Sequence, residues 1–185
     1  MNTKIKLKNV RLSFPSLFKR SEFNGEQGKF EATFLLDKKE HAKIIDSIQS
    51  EIDAGMKENF KKKIPADKIC LKDGSESSYS GYGDKVMSLK ASNNKRPLII
   101  HRDKSALTED DNVLYAGCYV DAIVQLWYQD NNYGKRVNAN LLGVQFYKDG
   151  EPFADGESAE LGDFDDFDDL DLDDHDSDFN DDFLD

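Results

Sequence analysis

Basic residues stop at Lys148, and the chain beyond it is dominated by acid. Residues 155–185 hold sixteen carboxylates and neither lysine nor arginine. Like charge at that density leaves too little apolar surface to offset the entropy lost on ordering. Whatever folds must therefore be complete by residue 154. Twenty-one of the thirty-seven carboxylates fall in residues 1–154 beside all twenty-five lysines and arginines, so this body is +4 and the tail −16. The whole-chain charge of −12 hides that division. The expected organisation is one folded domain over residues 1–154 and a disordered acidic C-terminal tail over residues 155–185. A mildly basic body beside a polyanion suggests a body that binds something anionic and a tail that can imitate it.

A body of this size supports one hydrophobic core, enough for a five- or six-stranded barrel or sandwich with a helix. No apolar run has membrane-spanning length, and the start of the chain lacks a secretory apolar segment, so no membrane partner and a cytoplasmic location are expected. Cys70 and Cys118 stand far apart in sequence with only three histidines in the chain. They read as small apolar residues rather than zinc ligands or a disulfide.

Hydrophobic alternation supplies the fold. Ile5 and Leu7 alternate with Lys4, Lys6 and Lys8, then the apolar phase slips to Val10, Leu12 and Phe14. Such a slip within a strand indicates a bulge, which helps a sheet coil. Pro15 to Gln27 reads as a loop, and Gly28 to Leu36 as a second strand. Asp37-Lys-Lys-Glu40 resembles a capping box, and Ile44, Ile45, Ile48, Ile52 and Met56 form a helical stripe expected to run to about Lys63, before Pro65. A glycine- and serine-bearing stretch, 73–84, follows. Lys85 to Ala91 and Pro97 to Arg102 read as strands joined as a hairpin. Gly117 to Tyr128 alternates with Val120, Ala122, Val124 and Leu126 on one face. A turn-rich link over 129–134 leads to a return strand, Lys135 to Tyr147, whose apolar set shifts between Leu141 and Leu142 in another bulge. The fold class is mainly β (α+β): an OB-fold-like, five- to six-stranded coiled barrel with one inserted amphipathic helix.

Aromatic and basic residues interleave where loops are expected. Phe18, Lys19 and Arg20 lie in the first loop, and Tyr79, Tyr82 and Lys85 surround the glycine-rich turn. Lys95 and Arg96 sit between two strands, while Trp127, Tyr133, Lys135 and Arg136 flank another turn. Single-stranded nucleic acid calls for this pairing, since cations track phosphates and aromatic faces stack on bases. The helix mixes both signs of charge, unlike a groove-reading recognition helix. Lys61-Lys-Lys63 at its expected end reads as a complement to the helix dipole. In the tail, Phe164, Phe167, Leu170, Phe179, Phe183 and Leu184 stand isolated among aspartates, a pattern suited to docking in basic grooves with apolar pockets.

Catalytic and metal chemistry find no support. Asp174, Asp176 and Asp178 open like a calcium loop, but Phe179 occupies the glycine position and no glutamate closes it. Asp121 is the only acid within the clearest strand, which is thin support for a metal-dependent nuclease. His41, His101 and His175 have no nucleophile in a recognisable context, and no phosphate-cradling Gly-x-x-x-x-Gly-Lys occurs. No catalytic residue, metal or cofactor is expected.

The segments Val10-Arg-Leu-Ser-Phe14, Tyr79-Ser-Gly-Tyr-Gly83, Leu89-Lys-Ala91 leading to Arg96-Pro97, and Leu114-Tyr-Ala-Gly-Cys-Tyr-Val120 resemble those of tailed-phage single-stranded-DNA-binding proteins. The closing strand through Leu141 and Val144 to Asp149-Gly-Glu151 also fits. The resemblance spans nearly the whole body. The tail is similar in kind to bacterial single-stranded-DNA-binding tails, departing from them where Leu184 and Asp185 follow Phe183. The resemblance implies an OB-fold, non-enzymatic, sequence-independent binding and protection of single-stranded DNA in phage replication, recombination and repair. It also implies tail contact with replication or recombination proteins. Tail masking of the DNA groove follows from electrostatics. Oligomeric state stays open, with homo-oligomers allowed. The alternative is an acidic DNA mimic that inhibits a host DNA-binding protein, which would need its negative charge on a folded surface.

Overall fold

The structure, a computed structural model, describes residues 3–153 and 163–165. Its contacts divide the chain into a first unit, Met1–Asp155, and a second, Gly156–Asp185. The expected disorder of the tail, and Phe167, Leu170, Phe179, Phe183 and Leu184 within it, lie outside the described residues. Phe164 is described and exposed.

In chain order the elements are β1 (Lys4–Ser16), the short β2 (Glu22–Phe23) and β3 (Glu26–Gln27), β4 (Phe30–Asp37), α1 (Ala42–Asn59), β5 (Leu71–Asp73), β6 (Val86–Asn93), β7 (Leu98–Ile100), β8 (Tyr119–Asn131) and β9 (Gly134–Lys148). β1 pairs antiparallel with β4 and β8, β4 with β6, and β8 with β9. A parallel pairing of Ser92 with Asn140 joins β6 to β9 and closes the ring. The result is an OB-fold-like barrel in the order β1-β4-β6-β9-β8, with β5 added to β6 and β7 to β9. Alternation places Leu7, Leu12, Phe34, Leu89, Val124 and Leu141 fully inside, each burial contributing about 1.5–3 kcal/mol.

Both expected bulges are present. Register shifts between Leu7 and Val10, where Asn9 has φ 53°, and the Asn9 N–H donates to Asp121 Oδ1 at 2.9 Å. In β9, Leu142 is the extra residue between Leu141, opposite Val124, and Gly143, opposite Ile123. A further irregularity between Ser13 and Ser16 corrects the expectation for Phe14, which has φ 45° and is 42% exposed while Ser13 is fully buried. The following Pro15 disfavours ordinary helical geometry at Phe14 and has no N–H for the ladder, so the regular alternation ends here.

Other boundaries also differ. Residues 15–27 contain a small hairpin rather than loop alone, with Asn24 and Gly25 at φ 52° and 80°, the positive values a tight two-residue turn demands. Asp37 does cap a turn, accepting from the N–H groups of Lys39 (2.8 Å) and Glu40 (2.9 Å). These N–H groups, Glu40's foremost, hold its carboxyl below the usual range. The reciprocal bond to the Asp37 N–H comes from His41 Nδ1 at 2.9 Å, not from Glu40. His41 Nε2 meets Lys8 O at 2.9 Å, tying the helix entry to β1. The helix ends at Asn59, so Lys61-Lys-Lys63 lies beyond it and not in its last turn. α1 packs on β8 through Tyr128, whose hydroxyl donates to Glu51 O at 2.9 Å. A Cβ on Gly55 would come within 1.9 Å of Tyr128 Cζ, so the helix approaches the strand only because that position is glycine.

The expected hairpin between β6 and β7 is absent. β6 lies between β4 and β5, whereas β7 runs parallel to β9. Ser92 pairs with Asn140 and Leu98 with Gly143, both parallel, so the 94–97 link carries the chain onward along β9 instead of turning it back. Asn93 Nδ2 pins that exit by donating to Leu141 O at 3.2 Å.

Candidate nucleic-acid interface

Outward positions of three barrel strands and β5 build one wall of an open groove of about 720 Å³. Thr33 of β4, Ser88, Lys90 and Ser92 of β6, and Arg136 and Asn138 of β9 alternate with buried neighbours, and Lys72 of β5 extends the wall. The other side comes from the short 3-10 turn Ala66–Lys68 and the glycine-rich segment carrying Glu76, Ser77, Tyr79 and Tyr82. That segment folds over the outer barrel surface. Tyr82 Oη donates to the buried Ser13 Oγ at 3.1 Å, and Gly83 N donates to Gly74 O at 3.1 Å.

Three aromatic rings meet at one end of the groove. Phe14 lies 4.8 Å from Tyr79 in an edge-on contact and 6.5 Å from Tyr82, and the two tyrosines are 5.8 Å apart. Tyr79 is 57% exposed and Phe14 42%, so faces and edges remain open to a planar ligand. Phe14 holds a backbone conformation that costs a non-glycine residue about 1–2 kcal/mol, and strain of this kind gathers at functional sites. Side chains here offer flat apolar surfaces beside Lys68, Lys72, Lys90 and Arg136, the combination that stacks bases and neutralises phosphates.

The groove is not simply basic. Its four cations face four acids, Glu31, Asp67, Asp73 and Glu76. Lys90 Nζ lies 3.7 Å from Glu31 Oε2 and Lys68 Nζ 3.9 Å from Asp67 Oδ2, while Asp73 is held by Lys38 from outside the groove at 2.7 Å. The Lys38 ammonium, followed by the Ser75 N–H, lowers the Asp73 carboxyl to about 2. Cys70 also lines the groove, but burial pushes its thiol up to about 12, which removes it as a nucleophile near neutral pH. Cys118 is buried and likewise raised by desolvation. Among the described residues no three His, Cys, Asp or Glu side chains converge as metal ligands, and no helix is long and apolar enough to cross a membrane.

Of the residues singled out by sequence, Tyr79, Tyr82 and Arg136 reach the groove. Trp127 is half-buried one strand away, opposite Asn138 in the β8–β9 ladder. Phe18, Arg20 and Arg96 form a structural knot elsewhere. Arg20 lies over Phe30 at 5.2 Å and donates to Asn94 O at 2.6 Å and Gly28 O at 3.3 Å, and Arg96 lies over Phe18 at 5.2 Å. Lys19 pairs with Glu109 at 3.6 Å in the open. Lys85, Lys95, Tyr133 and Lys135 are exposed and outside the groove lining. Sequence reasoning missed Phe14, Lys68, Lys72 and Lys90. Lys90 carries a visible signal, a cation alternating with the core residues Leu89 and Ala91.

The body's last described residues run alongside this site. Phe153 N donates to Ala116 O at 3.0 Å, and its ring lies 4.2 Å from the Arg11 guanidinium. Gly81, at φ 85°, accepts the ring so closely that a Cβ would sit 2.3 Å from it. The chain thus leaves the body against the same loop that presents Tyr79 and Tyr82.

Fold and groove together define a closed OB-fold-like barrel with an open, aromatic-lined groove on its outer surface. The chain belongs to the family of the single-stranded-DNA-binding protein of Enterobacter phage Enc34, whose model matches residues 3–180. A relative described as putative protein p50, from Acyrthosiphon pisum secondary endosymbiont phage 1, is 40% identical over 173 residues, covering 88% of this chain and 92% of its own. The bacteriophage Enc34 single-stranded-DNA-binding protein, solved in complex with single-stranded DNA, superposes with a TM-score of 0.72 at 31% identity, over 82% of this chain and 89% of that one. The gp2.5 single-stranded-DNA-binding protein of bacteriophage T7 shares the fold, with a TM-score of 0.50 at 12% identity over 85% of this chain and 92% of that one.

Proposed function

We propose that this protein binds single-stranded DNA without sequence preference and without catalysis, through the groove that holds Phe14, Tyr79 and Tyr82 beside Lys68, Lys72, Lys90 and Arg136. The observation that carries the reading is this aromatic cluster, set against strand-borne cations on a barrel of the Enc34 family. Bases stack on the rings and phosphates follow the lysines along β5 and β6. The body of residues 1–154 does the binding, protecting intermediates of phage DNA replication, recombination and repair in the host cytoplasm. The tail of residues 155–185 recruits replication or recombination proteins through Phe164, Phe167, Leu170, Phe179, Phe183 and Leu184, and competes with DNA for the body's cations. Titration of a fluorescent oligo-dT and of a matched duplex tests the central claim. Tighter binding of the single strand is the expected result, and equal or absent binding refutes it.

A further inference from the structure

The last strand ends at Lys148, and the residues after it are tied back onto the barrel. The Tyr115 hydroxyl donates to Asp149 Oδ1 at 2.9 Å and accepts from the Gly150 N–H at 3.0 Å. Arg11 reaches over from β1, its Nη2 donating to Glu151 O at 2.6 Å and its Nε to Gly117 O at 3.0 Å. The Phe153 N–H donates to Ala116 O, and the Arg11 guanidinium stands 4.2 Å from the Phe153 ring centroid, an attractive distance for a cation and an aromatic face. Residues 149–153 thus form a strap held by β1 and by the segment that enters β8. The place of the Phe153 ring is set from behind.

Its far edge meets the aromatic loop at Gly81, between Tyr79 and Tyr82, where a Cβ would lie 2.3 Å from Phe153 Cε1 and Cζ. Bonds within the loop, Tyr82 N to Tyr79 O and Gly83 N to Gly74 O, both at 3.1 Å, give the turn its shape. They do not decide where on the barrel it rests. The Tyr82 hydroxyl fixes one point, on Ser13, and the Phe153 ring braces the crown of the turn. We propose that Phe153 is a positioning residue for DNA binding: backed by Arg11, it holds the loop so that Tyr79 and Tyr82 stay ready to stack on bases. The inference rests on the single-strand reading above and adds to it a residue outside the groove lining. A loop that is competent only part of the time lowers apparent affinity by that fraction. A loop left in place about a tenth to a third of the time without its brace would bind roughly three- to tenfold more weakly.

Oligo-dT anisotropy and amide hydrogen exchange of residues 77–83, both on the full-length protein, test this. Phe153→Ala should weaken binding about three- to tenfold with the salt slope unchanged, since no phosphate contact is lost. It should also speed exchange in the loop before DNA is added. The loss should shrink in a Tyr79→Ala background, because the two changes act through one stack. Gly81→Ala approaches the same contact from the loop side. It should cost more affinity in the unmodified protein than in Phe153→Ala, where no ring is left to clash and only the strain of φ 85° persists. Where Phe153→Ala melts below the titration temperature, Phe153→Leu takes its place, keeping apolar bulk without the flat ring. A merely structural role would lower Tm while leaving the affinity of the folded protein untouched. Unchanged affinity, a loss of equal size without Tyr79, or loop exchange that does not respond would each overturn the proposal. Absent binding by the unmodified protein strikes the single-strand reading itself, before any variant is compared.

Discussion

On the path proposed for DNA through the aromatic groove, Glu31 stands beside Lys90, and neutralising it should tighten binding. Its carboxylate lies 3.7 Å from Lys90 Nζ, with the Glu31 side chain 28% exposed and that of Lys90 64%. The lysine is therefore the partner free to turn toward a ligand, while the acid stays in place. An exposed ion pair of this kind contributes about 0.2–1 kcal/mol, which phosphate binding must offset. A phosphate seated on Lys90 would stand about 6 Å from Glu31, a repulsion of about 0.7 kcal/mol in water, reduced to about half at physiological salt. Together these predict that Glu31→Gln strengthens oligo-dT binding by about 0.5–1.5 kcal/mol, roughly two- to tenfold.

Fluorescence anisotropy across a salt series measures both the gain and its origin. One lysine released to neutralise one more phosphate steepens the slope of log K against log salt by about 0.7 for a single strand. The gain should shrink in Lys90→Gln, because the two changes act on one pair. Unchanged or weaker binding with an unchanged slope would show that Glu31 lies off the DNA path, and a gain that survives in the double variant would place its cause elsewhere. Thermal melts of each variant exclude loss of fold as the explanation.

Truncating Tyr79 or Phe14 to Ala should weaken oligo-dT binding by about 1–3 kcal/mol each while leaving the salt slope nearly unchanged, as stacking requires; a flattened slope in the same titration would contradict it. Gly55→Ala would ordinarily favour a helix, yet the 1.9 Å approach to Tyr128 Cζ predicts destabilisation by about 1–3 kcal/mol in denaturant melts, and a more stable variant would refute the packing argument. The Asp73 carboxyl, lowered to about 2 by Lys38, adds stability that is present above its unfolded value near 4 and lost as pH falls through the folded value. Lys38→Gln should therefore lower Tm more at pH 6 than at pH 2, where the folded carboxyl is already partly protonated, and a deficit that does not shrink with acid would disprove the linkage.

The barrel was legible because a half-buried strand repeats every two residues. Ile5, Leu7, Val10 and Leu12 show both the strand and its bulge, and the slip at Leu142 marks the second. Pairing was not legible in the same way, since alternation says which face is buried but not which strand lies alongside. That is why β6 and β7 read as a hairpin when β7 belongs beside β9. Phe14 escaped because its departure from the core depends on a positive φ set by the surrounding backbone, not on its place in the alternation.

The residues singled out by sequence that lie outside the groove share a physical cause. Loops at the end of a barrel must be tied down, and an arginine does this by stacking on a ring while its N–H groups meet backbone carbonyls, as Arg20 does with Phe30, Gly28 and Asn94. Basic and aromatic residues interleaved in a loop therefore describe a tether as well as they describe a ligand site. A lysine on an outward strand position has no such duty. Lys90 alternates with Leu89 and Ala91, so its backbone is fixed by the core while its ammonium is offered to solvent. On this barrel, cations in phase with a strand's solvent face line the groove, whereas Lys19, Arg20, Lys95 and Arg96 in loops do not. The net charge of +4 over residues 1–154 locates nothing, because the topology gathers four acids beside the four cations of the groove.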